Sequence, residues 1–405
     1  MDLDRRFVSD AKPMARDRTE ISKKRVGAQR GKNRFRFLES LTRDLAAAGF
    51  RVRKPNKRDE TWRFTPPDHQ AQGIHLRKLR HRQIAASRDF VERIETGGVL
   101  ALFGDGRSVN PDLIRPQIRF CVTQADHEIF RFGKLFQKVP TTNRVGRQVR
   151  CLVYDVGQSC SYLMGVFELT SSAYTLGCRD DYLGWRGKSR KIIKDNGLRR
   201  IMDLASIIAL PPYNLLYGGK LIAGLAFSDV VAREIRRRYR SDLLGIIASS
   251  ATGLHCAILN RIGLKPGGLF RRIGETSGYS TLFASASTLN AARRFLPDFV
   301  SAPEGEFSVS VRPLHVLRVA MRACGIPPDQ ILRSAYPKGV YFGTIASSYF
   351  DALRSGRAVR HKGVPLEHIA EYWKARYLTK ALSDSCKLEK LLSYRRRGPL
   401  ETETS

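Results

Sequence analysis

The chain reads as a mixed α/β protein whose central sheet contains a parallel crossover, with helical regions on both sides. Three observations predict this. Short apolar runs cluster between Arg150 and Ser249; one of them leads through a glycine loop into a helix-compatible stretch and out into another apolar run; and the flanking chain shows helical spacing instead. Length agrees, since 405 residues with 42% apolar side chains are enough to bury a substantial core.

The elements follow in order. Residues 1–65 read as a basic leader with a short helix, in which Phe37, Leu38, Leu41, Leu45 and Ala48 recur at helical spacing before Gly49 stops it. A loop with Pro55, Pro66 and Pro67 leads into a helical region over 66–145. There Leu76, Leu79, Ile84 and Val91 lie among Arg77, Lys78, Arg80 and Arg82 as one helix over 74–94, ended by Gly97-Gly98.

The α/β core spans 146–310. Residues 151–154 and 162–169 are apolar runs around Gly157-Gln158-Ser159, which predicts a β-hairpin. Residues 201–210 form a strand closed by Pro211-Pro212, a pair unable to donate to a ladder. Tyr217-Gly218-Gly219-Lys220 then opens one helix running to Tyr239, and 243–249 is the next strand. From 311 to 393 the pattern is helical again, at 314–323, 347–353 and 366–382, and 394–405 reads as a flexible tail.

Charge is the dominant compositional fact. Lys and Arg number 71 against 38 Asp and Glu, leaving +33, which favours an anionic partner, nucleic acid foremost. The basic residues run along the whole chain rather than forming one detachable tail. The most apolar stretch, 201–227, is broken by Asp203, Pro211, Pro212, Asn214 and Lys220, so no membrane span is expected. The N-terminus carries no signal-peptide pattern, and a cytoplasmic protein is expected. Seven scattered cysteines without a C-x-x-C pair fit neither a disulfide framework nor a zinc site, and the eight histidines lack metal-ligand spacing, so no metal is expected.

The glycine loop is the sharpest chemical feature. A helix starting at Gly218 or Gly219 presents unpaired amides and a positive dipole end to a phosphate group, which makes Tyr217, Gly218, Gly219 and Lys220 candidate cofactor-binding residues; a plain tight turn is the alternative. In the following helix Arg233, Arg236, Arg237 and Arg240 fall on one stripe, while Val231, Ile235 and Tyr239 fall on another. The stripe is either a solvated face or a set of guanidinium forks for phosphates. Arg147 and Arg150 join it as candidate nucleic-acid contacts. Asp203, inside the strand before the loop, is a candidate base if burial raises its pKa, or a structural carboxylate. Tyr279 is a candidate proton donor or stacking ring, or an ordinary packed aromatic.

Several separated motifs carry a family resemblance: Gly146-Arg147-Gln148, the segment 176–185 (LGCRDDYLGW), the segment 211–221 (PPYNLLYGGKL) and Glu371-Tyr372-Trp373. In that order they resemble the DruA-like proteins of the Druantia anti-phage systems, over roughly 77–382. The resemblance implies a DNA-directed component of anti-phage defence, with other defence proteins, including a helicase, as partners. The block 201–263 also resembles the acyl-CoA-binding half of the GNAT acetyltransferase fold, in which a strand passes through a glycine loop into a helix whose first amides bind the cofactor pyrophosphate. That likeness implies a GNAT-like central sheet between a basic helical N-terminal extension and a helical C-terminal region. Two versions follow from it: an acyl-CoA-dependent transferase assisted by Asp203 or Tyr279, or a binding protein on the same core. The binding version is preferred, because Leu259 stands where that family often carries a tyrosine acid, and leucine cannot donate a proton.

Overall fold

The apolar runs of the central segment assemble into one sheet. The computed structural model describes residues 14–55, 61–139, 146–250, 255–260, 262–263, 269–276, 283–296, 313–332 and 337–401. The chain divides into two compact units, Met1–His75 with Gly278–Tyr336, and Leu76–Ser277 with Pro337–Ser405.

The second unit holds the sheet. Its strands are β3 (Pro116–Phe120), β4 (Gln148–Asp155), β5 (Tyr162–Ser171), β6 (Ile201–Ala209), β7 (Gly245–Ser249), β8 (Phe270–Glu275) and β9 (Gly339–Gly343), in the spatial order β3-β4-β5-β6-β7-β9-β8. Neighbours are antiparallel except β6 and β7, which run parallel with Ile201 opposite Gly245. The predicted hairpin is the β4–β5 pair, and the predicted crossover is β6–β7. Two strands fall inside the regions expected to be helical throughout. β9 is a wholly buried run, and β3 alternates buried and exposed side chains, so both satisfy their backbone by joining the sheet edge to edge with strands distant in sequence.

One sheet face places Phe167, Leu169, Met202 and Leu204 in a cluster with Leu221, Ile222, Leu225, Val231 and Ile235. The other face carries two separate clusters. Leu152, Leu163, Val166 and Ile208 pack with Phe103, Phe130 and Phe132, while Ile201, Ile247, Val340 and Phe342 pack with Leu183, Trp185 and Leu353. A glycine is required where the first helix over the sheet comes close. A Cβ on Gly165 would lie 2.6 Å from both the Ile222 Cδ1 and the Ile208 carbonyl oxygen.

Two of the expected helices are each split in two. The single helix expected from 218 to 239 is two, α7 (Gly218–Leu225) and α8 (Asp229–Tyr239). Between them the chain pairs with Val364: the Asp229 amide donates to the Val364 carbonyl at 2.8 Å and the Val364 amide to the Phe227 carbonyl at 3.0 Å. The Ser228 hydroxyl then caps α8 by accepting from the Val231 amide. The helix expected over 74–94 is likewise two, α2 (His69–Ala85) and α3 (Arg88–Thr96), where the Ser87 hydroxyl bonds back to the Gln83 carbonyl. Part of the expected tail is held in place: the Tyr394 carbonyl accepts from the Gly106 amide at 3.0 Å, and the Arg396 amide donates to Asp105 at 2.7 Å.

In the first unit the helix predicted near 37–48 is the end of a longer one, α1 (Met14–Ala47), followed by a two-stranded ribbon of β1 (Arg51–Arg53) and β2 (Arg63–Thr65). α1 packs on α9 (Ala286–Phe295), with Phe37 and Phe295 stacked at 6.1 Å and Asp44 accepting from the Thr288 hydroxyl and the Ser285 amide, both at 2.6 Å. Residues expected in separate linear blocks therefore share one core. Among the described residues, no helix is long and apolar enough to cross a membrane.

Candidate nucleic-acid interface

The starting ends of β4 and β6 and the last residues of β5 meet two helix C-termini, and six arginines converge there. Arg147 precedes β4. Its amide donates to the Ser171 hydroxyl, and its carbonyl accepts from the Ser171 amide, both at 2.9 Å. Its guanidinium reaches across to the end of α6 (Lys191–Arg199), donating to the carbonyls of Arg199 at 2.6 Å, Leu198 at 2.9 Å and Ile201 at 3.1 Å. The carbonyl end of a helix attracts a cation, so this placement follows from ordinary capping electrostatics.

Arg200 caps the same helix and donates in turn to the Arg357 and Val359 carbonyls, at 2.6 and 2.8 Å, which fixes the 356–360 segment as a wall. From the last turn of α8, Arg236 donates to Asp242 and to the His361 carbonyl. Arg240 ends α8 in the left-handed region at φ 49°, an uncommon conformation for a residue with a Cβ.

Together with Arg199 and Arg360 these side chains line a groove of about 1220 Å³ in which, among the described residues, Asp242 is the one acid. Arg147 and Arg200 spend their donors on carbonyls, which hold the planes still and leave the charge uncancelled. Burial depresses the Arg147 pKa most, with Tyr239 opposing and Arg199 adding to the fall; burial also depresses that of Arg200. Both remain cationic at neutral pH. The guanidinium groups of Arg199, Arg240 and Arg360 are on exposed residues and make no hydrogen bond or ion pair with the described residues. Such a groove offers fixed and free guanidinium forks to bound anions.

The six predicted nucleic-acid contacts therefore separate. Arg147, Arg236 and Arg240 reach the groove. Arg233 and Arg237 are instead paired to acids of their own helix, Asp229 at 2.6 Å and Glu234 at 2.8 Å, because those acids sit one turn earlier on the same side. Glu234, buried, takes Arg238 as well, and its pKa is lowered chiefly by Arg237. Arg150 turns to the sheet, donating to Glu168 at 2.9 Å. Arg199, Arg200 and Arg360 were not among the predicted contacts; the basic runs at 186–200 and 354–362 were the available signal.

Asp203 lies on a polar strip of the sheet face, between its two apolar clusters. It is the register partner of Thr170, beside a second row in which Arg150, Glu168 and Ser206 lie opposite one another. Glu168, buried, also accepts from Lys134 at 3.0 Å, so two cations neutralise it. The row of Asp203 and Thr170 adjoins the strand ends that carry Arg147 and Ser171. Tyr279 lies outside the described residues.

Part of the predicted phosphate cradle is engaged by the chain's own groups. α7 begins at Gly218 as expected, but the Gly218 amide donates to the Tyr213 carbonyl and the Lys220 amide to the Tyr217 carbonyl, both at 3.0 Å. The Lys220 ammonium donates to the Ala257 and Asn260 carbonyls at 2.7 Å, and Ile258 lies over Gly219, 3.2 Å from where its Cβ would be. Tyr217 starts the helix at φ 56° with Lys387 against its hydroxyl. In the 176–185 motif the Arg179 guanidinium is likewise engaged internally: fully buried, it binds Asp180, Ser172 and the carbonyls of Ala173 and Tyr174.

Fold and groove together define an α/β protein with a mixed seven-stranded sheet and a cationic cleft at one end of its strands. Residues 68–331 match the family model described as DruA, Druantia protein DruA, and the chain belongs to that family. It is 26% identical over 296 residues to the Druantia protein DruA of Escherichia coli (strain UMEA 4076-1), covering 69% of this chain and 70% of that protein. No solved structure matches it.

Proposed function

We propose that the chain is a component of Druantia anti-phage defence that holds nucleic acid, DNA foremost, in the arginine groove. One observation carries this reading: among the described residues, six guanidinium groups line one groove against a single lining carboxylate, and two of them are locked to carbonyls rather than to acids. Confining like charges costs free energy that an incoming polyanion relieves, and phosphate oxygens match the guanidinium fork. Family membership supports the defence role, with other proteins of the system, a helicase among them, as partners. The core is proposed to be GNAT-like, supported by the parallel β6–β7 pair with helices between its strands. An acyl-CoA role draws no support from 217–220, where two early amides and the Lys220 ammonium are already bonded to backbone carbonyls.

The test is fluorescence anisotropy with labelled DNA across a salt series. Wild type should lose affinity steeply with salt, and Arg199→Glu with Arg240→Glu should weaken binding and flatten the slope by about 0.9 per lost phosphate contact on duplex DNA. Unchanged affinity and slope in the double variant would overturn the reading.

A further inference from the structure

We infer that the strand held in the groove is single-stranded, with its bases laid on a platform made by Arg147 and Tyr239. The inference rests on the preceding reading of the groove as the nucleic-acid site. It comes from what lines the groove besides arginine. Leu198, Ala358, Val359 and the half-buried ring of Tyr239 face the same space.

A duplex presents phosphates and sugars outward and keeps its base faces stacked within, so an apolar and aromatic lining finds no counterpart on its backbone. A single strand supplies both kinds of surface, with phosphates for the guanidinium groups and unstacked base faces for rings and apolar side chains.

The platform is rigid before anything binds. The guanidinium carbon of Arg147 lies 5.6 Å from the Tyr239 ring centroid, and three backbone carbonyls hold the guanidinium itself. The Tyr239 hydroxyl is tied at both ends: it accepts from the Gln148 amide at 2.9 Å and donates to the Gln148 carbonyl at 2.8 Å. With ring and guanidinium already ordered, a stacked base costs little conformational entropy on the protein side. The free guanidinium groups of Arg199, Arg240 and Arg360 remain to follow a flexible phosphate chain.

The experiment titrates the full-length protein, at one ionic strength, with a labelled oligothymidylate and with a hairpin duplex carrying the same number of phosphates. The single strand should bind about tenfold more tightly, and Tyr239→Leu should reduce that advantage about tenfold by removing the ring. Duplex binding that equals or exceeds single-strand binding, and that Arg199→Glu with Arg240→Glu weakens, would sink the single-strand inference while leaving the groove in place. If the double variant weakens neither, the groove reading falls and this inference with it. The comparison in wild type needs no variant, so a poorly folded Tyr239→Leu does not leave the question open.

Discussion

Arg147 lies against the ring of Tyr239, and the hydroxyl of that ring is bonded to the backbone of Gln148, the next residue along from the arginine. The contact joins the end of α8 to the start of β4, so one wall of the groove is set by the same atoms that anchor a helix to the sheet. Moving either element moves the cationic lining with it.

The arginines of α8 should not be equivalent. Arg237→Gln removes a charge that Glu234 already offsets, and nucleic-acid affinity should change little. Arg240→Gln removes an unpaired charge from the groove, and the slope of log K against log salt should fall by about one. Anisotropy titrations of both variants at several salt concentrations check this; equal effects would contradict the division of the stripe.

Arg240→Gly should stabilise the fold and weaken binding at once. At φ 49° an L side chain is strained by about 1 kcal/mol, and glycine at a helix C-terminus removes that strain. Urea unfolding should shift to higher midpoint while affinity drops. Destabilisation would show that the guanidinium contributes more to the fold than the backbone strain costs.

Stability should decline on mild acidification through His361. Burial lowers its pKa from the ordinary 6.5 to about 4, with Asp242 opposing the fall and Arg236 adding to it. The folded-state pKa is depressed, so between pH 6.5 and about 4 the unfolded chain takes up a proton that the folded chain refuses, and stability decreases as pH falls through that window. The full contribution is on the order of 3 kcal/mol. Denaturation midpoints across this range should show the decline in wild type and a flatter profile in His361→Asn; identical profiles would refute it.

Gly197→Ala should be costly although the residue lies in a helix, where alanine is normally preferred. The new Cβ would lie 2.3 Å from Cζ2 of Trp185, a buried ring fixed by its Nε1 donating to the Leu353 carbonyl at 2.9 Å. Overpacking of this kind costs about 1–3 kcal/mol, and it should displace α6 with Arg199 and Arg200. A lower thermal midpoint together with weaker DNA binding is the expected pair of results; a variant as stable as wild type would contradict the packing argument.

Much of the core was legible before any coordinates. Short apolar runs marked β4, β5 and β6, and Gly218 marked the start of α7, because local patterning and turn chemistry act within a few residues. The family motifs, the basic excess and the stripe on α8 were equally visible. Which charges remain unpaired was not. Glu234 and Asp229 are near neighbours of the stripe in sequence, yet only the folded geometry shows them capturing Arg237 and Arg233 while Arg240 is turned into the groove. Contacts between Arg147 and the end of α6, or between Arg200 and the 356–360 segment, join residues too far apart for any local signal to report. For the glycine loop the sequence left an anion cradle and a plain tight turn both open; the Tyr213 carbonyl takes the Gly218 amide within the local turn, and only tertiary packing brings the Ala257 and Asn260 carbonyls to the Lys220 ammonium. Composition thus settled that this chain carries a large positive charge, while long-range backbone contacts decided where that charge stays available.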